Sequence, residues 1–300
     1  MKLTIVTVNR NNATGLSRTL ESTFASQSGF DDWEQIVVDG ASTDGSFAAL
    51  DKWKGNPHLG WHISEPDSGI YDAMNKGASH AHGNYLLFLN SGDELLPNVL
   101  ADLFSRPHTE DILYGDVWLG QNGPDLLWKS DPPQDICPEY FLFLTFPHQS
   151  TFISRSLHER IGGYDPEMKV LGDRKFFFRC FLEGKPSLFQ FSRPFSRMEP
   201  GGISSSPFAK SLWRKEYEAI IAPVYGRAVA RRVAMPSEER PWMKEAVAEA
   251  ARNDQSLAYC IRIISAMASK CWRFGPSRIA MRFMITIWRR LSLMKHTRTS

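Results

Sequence analysis

Four aspartates stand where apolar runs give way to small or polar residues, positions suited to binding cations and hydroxyl groups. Asp93 closes Phe88-Leu89-Asn90-Ser91-Gly92-Asp93, which follows the apolar Tyr85-Leu86-Leu87. A short apolar run closed by turn formers reads as a buried strand, so Asp93 falls just past its carboxyl end, where open α/β sheets bind ligands. A carboxylate there can coordinate a divalent cation that neutralises phosphates, or it can cap an acidic turn; the stretch alone supports both. Asp39 ends Gln35-Ile36-Val37-Val38 and opens Gly40-Ala41-Ser42-Thr43-Asp44-Gly45. Small residues there let a ligand approach the backbone, and the acids accept hydrogen bonds from a base or a sugar. Asp72 and Lys76 lie four residues apart beside Asn75, spacing that fits a surface ion pair as well as a ligand contact. Asp173 heads the apolar helical segment Phe176 to Leu182, an N-cap position where amide dipoles orient a carboxylate and keep it ionised. His148-Gln149 leads into a strand, and His148 by itself fits a core histidine as well as a pocket wall.

These side chains need elements to position them. Leu3 to Val8 reads as a first buried strand, followed by a helix over Thr14 to Phe24 capped by Thr14 or Ser17. Gln35 to Val38 and Trp61 to Ser64 read as further strands, with a helical Phe47 to Trp53 between them. Ile70 to Ala78 is a short helix stopped near Gly77; strands follow at Asn84 to Leu89 and at Ile112 to Val117, the latter with Asp116 at an edge. This β-α-β-α-β rhythm predicts a doubly wound, mostly parallel α/β sheet with helices on both faces and right-handed crossovers. The first loop, Asn9-Arg10-Asn11-Asn12, lacks the G-x-G-x-x-G of dinucleotide folds, and no Walker A sequence occurs. A bound nucleotide would therefore have its phosphates met by a metal rather than by a glycine cradle.

Composition is that of a globular protein, with 42% apolar and 23% charged residues in 300. Four scattered cysteines without a C-x-x-C pair argue against a zinc site or a disulfide framework and fit a reducing compartment. Met1-Lys2 runs straight into the first strand, with no signal-peptide pattern. Charge is uneven: residues 1–204 hold 17 basic and 26 acidic residues, whereas 205–300 hold 18 and 7. That shift predicts a boundary near Ser204-Ser205-Ser206-Pro207 and a helical C-terminal extension, with helices at Trp213 to Tyr225, Glu239 to Arg252, Ser256 to Arg273 and Ser277 to Leu293. No apolar run approaches the ~20 residues that span a bilayer. Basic amphipathic helices over 255–300 suit an anionic membrane surface; packing on the catalytic domain or another subunit is the alternative. No nucleic-acid-binding module accompanies the charge.

The segments Val6-Thr7-Val8-Asn9-Arg10, Val38-Asp39-Gly40-Ala41-Ser42-Thr43-Asp44-Gly45, Gly69-Ile70-Tyr71-Asp72-Ala73-Met74-Asn75-Lys76-Gly77 and Phe88-Leu89-Asn90-Ser91-Gly92-Asp93 together resemble the family 2 glycosyltransferases. They are most similar to the bacterial colanic-acid-like branch that makes exopolysaccharide and lipid-linked glycans. The resemblance covers residues 1–204 and implies a GT-A fold, an inverting reaction, a nucleotide-sugar donor and Mg2+ or Mn2+. By position it implies that Thr7, Asn9 and Asp39 meet the nucleoside, with Asp72, Lys76 and Ser91 completing the donor-binding set. It implies Asp93 as metal ligand, Asp173 as catalytic base, and His148 and Gln149 as lining of the donor-sugar or acceptor pocket. Arg197 to Ser204 resembles a closing Gly-Gly-x-Ser element, which can act as a lid. Asn90 and Gly92 depart from the pattern, standing where many members carry aspartates. The expected organisation is a catalytic domain over 1–204, with a nucleotide-binding half over about 1–116 and an acceptor half over about 117–204. The expected protein moves a sugar onto a glycan or lipid-linked acceptor in cell-surface polysaccharide synthesis, peripheral on the inner face of the cytoplasmic membrane. A sugar nucleotidyltransferase, or an inactive glycan- or membrane-binding protein, are the alternatives.

Overall fold

Seven buried residues, Leu3–Asn9, form β1, and the equally buried Trp33–Asp39 form β2. Strands covered on both faces read as unbroken β-branched runs, which Ile5-Val6-Thr7-Val8 and Ile36-Val37-Val38 supply. The structure, a computed structural model, describes residues 1–120, 126–128, 136, 138–142, 144–202, 207–227 and 230. Between β1 and β2, α1 (Ala13–Phe24) starts on Asn12, whose side chain accepts the Gly15 N–H. The cap is thus Asn12 rather than Thr14 or Ser17. A 3-10 helix, Ser46–Trp53, leads to β3 (Leu59–Ser64), and α2 (Ile70–Ser79) leads to β4 (Tyr85–Phe88). Gly77 does not stop α2: it is where the helix lies on β1, because a methyl group there would strike Val6.

The chain continues through β5 (Glu94–Leu95), α3 (Val99–Leu103), β6 (Ile112–Leu119), β7 (Leu126–Trp128), β8 (Thr151–Ser154), α4 (Arg155–Ile161), α5 (Gly172–Glu183) and β9 (Leu188–Met198). The described strands form one sheet in the order β3-β2-β1-β4-β8-β6-β9-β5, with β7 on β6. β3, β2, β1 and β4 are mutually parallel. β8 runs antiparallel to β4 and β6, and β9 lies parallel to β6. The expected α/β sheet is therefore present, with its parallel block in the first ninety residues. β6 lies between β8 and β9, so Asp116 is on an interior strand and not at an edge.

Strand order reverses at β1: β2 and β3 lie on one side and β4 on the other. Ligand crevices form at the carboxyl ends of strands at such a switch point. Parallel register puts Asn9 beside Asp39 and Val6 beside Phe88, so the loops after β1, β2 and β4 emerge together. The sheet is held by apolar clusters, one built on Leu3, Ile5, Leu87, Leu100, Phe152 and Phe195, another on Leu16, Leu20, Val37 and Leu50. Each fully buried Leu or Phe contributes about 1.5–3 kcal/mol.

The chain divides into two compact units, Met1–Asp131 with Phe143–Leu212, and Pro132–Leu142 with Trp213–Ser300. Every expected site residue belongs to the first. In the second, the described chain includes most of α6 (Pro207–Tyr225), where Trp213 stacks on Tyr217 at 4.7 Å. The helices expected at Glu239 to Arg252, Ser256 to Arg273 and Ser277 to Leu293, and the membrane-facing role of 255–300, lie outside the described residues. Among the described residues no helix is long and apolar enough to cross a membrane.

Candidate active site

The loop after β1 and the end of β2 form the first wall. Asp39 is fully buried, and both carboxylate oxygens are occupied: Oδ1 accepts from Asn9 Nδ2 at 2.7 Å and Ser42 Oγ at 2.6 Å, Oδ2 from the Ser42 amide at 2.9 Å and Ser64 Oγ at 2.6 Å. Burial alone pushes its pKa up, but the hydrogen bonds from Ser42, Ser64 and Asn9 outweigh it and hold the carboxyl below its ordinary value. Asn9 is also buried, and its Oδ1 has no partner. Thr7 does not reach this wall. It is fully buried, and its hydroxyl accepts Gln35 Nε2 at 2.9 Å, inside the layer between β1 and β2.

Lys76 turns toward the loop after β3, 3.0 Å from Glu65 and 3.8 Å from Asp72. Asp72 accepts the Ser68 amide at 2.8 Å, so the pair braces residues 65–69. Asp67 of that loop comes so close to Gly40 that a Cβ at 40 would lie 2.5 Å from its Oδ2.

The opposite wall is the loop Asn90 to Asp93. Helix α1 cradles it: Thr19 Oγ1 accepts the Gly92 amide at 2.9 Å and donates to the Asp93 carbonyl at 2.7 Å, while Asn12 Nδ2 donates to the Ser91 carbonyl at 3.2 Å. Asp93 is 6% exposed, and its Oδ1 accepts the Glu199 amide at 2.9 Å. Burial raises its pKa to about 7; His148, the Glu199 amide and the Gln149 side chain pull it down only partly, and the Glu199 carboxylate opposes them.

His148 and Gln149 join the two acids. Gln149 is buried beside Asp93, and its side chain helps lower that carboxyl. His148 places Nδ1 3.7 Å from the Asp173 carboxylate and Nε2 3.1 Å from Asn90 Nδ2. Asp173 occupies the first turn of α5 and is not its N-cap; that position is Leu171. Burial pushes Asp173 up, but the nearby His148 imidazole, with the Arg174 amide at 2.7 Å, brings it below its ordinary value. The same partner raises His148 against its own burial. Among its partners, His148 does most to keep the carboxylate ionised.

The residues that carry much of this geometry had no role in the sequence pattern. Glu199, which follows β9, accepts from Arg18 and from Asn12 Nδ2 at 3.3 Å. Its carboxylate fills the space a side chain at 92 would take, since a Cβ on Gly92 would fall on Oε2. Glycine at 92 was the available signal: the acid absent from the loop marks where another chain segment enters. Ile203 and Ser204 of the Gly-Gly-x-Ser segment lie outside the described residues.

Among the described residues, no three His, Cys, Asp or Glu side chains cluster as a metal cage. Two oxygen donors nonetheless fit a hard divalent cation: the Asp93 carboxylate, raised by burial, and Asn90 Oδ1, which is buried without a partner.

The sequence pattern of "Glycosyl transferase family 2" matches residues 4–165, more than half of the chain. An uncharacterized glycosyltransferase of Mycobacterium tuberculosis is 34% identical over 192 residues, 61% of this chain and 70% of that one. A "PGL/p-HBAD biosynthesis glycosyltransferase" of Mycobacterium bovis is 33% identical over 204 residues, 61% of this chain and 72% of that one. Among solved structures, S. aureus TarS 1-349 with UDP-GlcNAc superposes with a TM-score of 0.60 at 17% identity, over 90% of this chain and 80% of that one. A mannosyltransferase from Pyrobaculum calidifontis with GDP-Man and Mn2+ gives 0.53 at 16%, over 96% and 86%. Against the longer TarS chain the protein spans 42% of the length. The fold is that of the GT-A enzymes, and the chain belongs to the family 2 glycosyltransferases.

Proposed function

We propose that the protein is an inverting glycosyltransferase that uses a nucleotide-sugar donor and a glycan or lipid-linked acceptor in cell-surface polysaccharide synthesis. The observation that carries this reading is the dipeptide His148-Gln149, which sets one side chain beside Asp93 and faces Asp173 with the other. It sets an ionised carboxylate beside the loop that in this family meets the donor diphosphate.

Asp39 and Asn9 receive the nucleoside; the Ser42 and Ser64 hydroxyls on Asp39 are the bonds a base or ribose hydroxyl would replace. Asp173 takes the proton of the acceptor hydroxyl as that oxygen attacks the anomeric carbon. The bond from that carbon to the nucleoside diphosphate breaks, its electron pair leaves with the phosphate oxygen, and configuration inverts. His148 keeps Asp173 ionised until the proton arrives. Asp93 and Asn90 Oδ1 would hold Mg2+ or Mn2+, which when bound neutralises charge on the leaving diphosphate. Thr7 serves the site through the buried side-chain bond that ties β1 to Gln35 of β2, and Lys76 with Asp72 through the loop they brace. Relatives named as a PGL/p-HBAD biosynthesis glycosyltransferase and a poly(ribitol-phosphate) beta-glucosyltransferase support an acceptor of this class. The basic segment 255–300 supports action at the inner face of the cytoplasmic membrane.

The test is nucleotide release from UDP-GlcNAc and GDP-mannose with Mn2+, comparing wild type with D173N. We expect turnover to fall by about a thousandfold, with UDP or GDP affinity within about twofold. Retained turnover would remove Asp173 from the base role, and no release from any sugar nucleotide would favour a non-catalytic binding protein.

A further inference from the structure

Helix α5 begins on a residue that cannot cap it. Leu171 has no side-chain acceptor, and Leu171 and Gly172 are buried beside Asp173. Free amides there would let the first turn fray. An acceptor within their reach comes from another element, α2. Tyr71 is 5% exposed; its hydroxyl donates to the Val170 carbonyl at 2.9 Å and lies near enough to the Gly172 and Asp173 amides to feel them. Its ring lies against Gly172, where a Cβ would sit 2.6 Å from Cε2 and 2.7 Å from Cδ2 and Cζ. The next amide, Arg174, is taken by Asp173 Oδ1. Burial and the nearby Asp173 charge push the phenol well above its ordinary range, so it stays a neutral donor and acceptor.

We propose that Tyr71 is a positioning residue for Asp173: a helix cap supplied from α2, which fixes the first turn of α5 and so the direction in which the carboxylate meets His148. The catalytic part of this inference rests on Asp173 being the base. It also accounts for the pairing of Tyr71 with Gly172, since only a residue without a side chain lets the ring close on the helix start.

Y71F keeps the ring and removes the hydroxyl. Hydrogen exchange of the free protein should show the Gly172–Arg174 amides exchanging about tenfold faster, with β1, β2 and β4 unchanged. In nucleotide release from UDP-GlcNAc or GDP-mannose, kcat should fall about tenfold or more while KM stays within about twofold. Unchanged exchange at those amides overturns the cap, and faster exchange with unchanged kcat overturns the positioning role. Should Y71F fail to fold, G172A decides: it keeps the hydroxyl but drives a methyl group into the ring, and an unchanged kcat there overturns the proposal. D173N separates the two ideas. Retained turnover in D173N defeats the base reading, while the exchange result still reports on the cap.

Discussion

Asp39 ends β2 and Asp93 lies in the loop beyond β4, on either side of β1; both are hidden from solvent, yet their acidities have moved in opposite directions. Asp39 is met by two serine hydroxyls, an asparagine amide and a backbone N–H, and its pKa falls. Asp93 is met by one backbone N–H and one glutamine and lies near the Glu199 carboxylate, and its pKa rises to about 7. Burial raises both; at Asp39 the hydrogen bonds outweigh it, whereas at Asp93 a heavier burial, helped by the Glu199 charge, outweighs fewer donors. The Asp39 site is complete in the free protein. On the proposed reading, the Asp93 site is finished by a positive partner.

Neutralising each acid should therefore shift stability in opposite directions. D39N sets an NH2 against hydrogen-bond donors, at a cost of about 3 kcal/mol and a fall in Tm on the order of 10 °C. D93N removes a buried charge and should raise Tm at pH 8, while abolishing the stabilisation that Mn2+ with UDP gives the wild type. Equal destabilisation in the two variants, read by thermal melting, would break the contrast.

Two pH dependences sharpen it. The native pKa of Asp93 lies above its ordinary 3.8, so the folded state binds more protons and stability falls as pH rises from about 4 to 7, by up to about 4 kcal/mol. His158 runs the other way. It is buried among Phe88, Tyr164 and Phe176, its Nε2 makes no hydrogen bond, and burial lowers its pKa from 6.5 to about 4. Its contribution is present above pH 6.5 and is lost as pH falls toward 4, by about 3 kcal/mol. Urea unfolding of D93N across this range should show stability rising with pH, and H158F should show it falling; matching slopes would refute the assignments.

The smallest effect concerns the space between the acids. Gly92 has φ +102 and no room for a side chain against Glu199. G92A should cost about 2 kcal/mol, and adding E199A should recover the overlap but leave about 1 kcal/mol of backbone strain. A fully additive double mutant would show that Glu199 does not fill that space.

By itself the sequence determined the features set by local chemistry. β-branched runs ending in Asp39 and in Asn90-Ser91-Gly92-Asp93 made the parallel strands and their carboxyl-end loops legible, because strand period and turn residues are written within a few positions. Helix ends were less legible. Asn12 stands at the cap because Thr14 and Ser17 lie inside α1, and Leu171 stands there because Asp173 lies within the first turn of α5, facing His148. Tertiary structure alone decided the pairings: Asp93 with Glu199, 106 residues later, Gln149 with Asp93, His148 with Asp173, and Thr7 turned inward to Gln35. Spacing along the chain fixes which face a residue occupies. Which distant residue faces it depends on strand order and register, and those are settled only when β8 and β9 join the sheet.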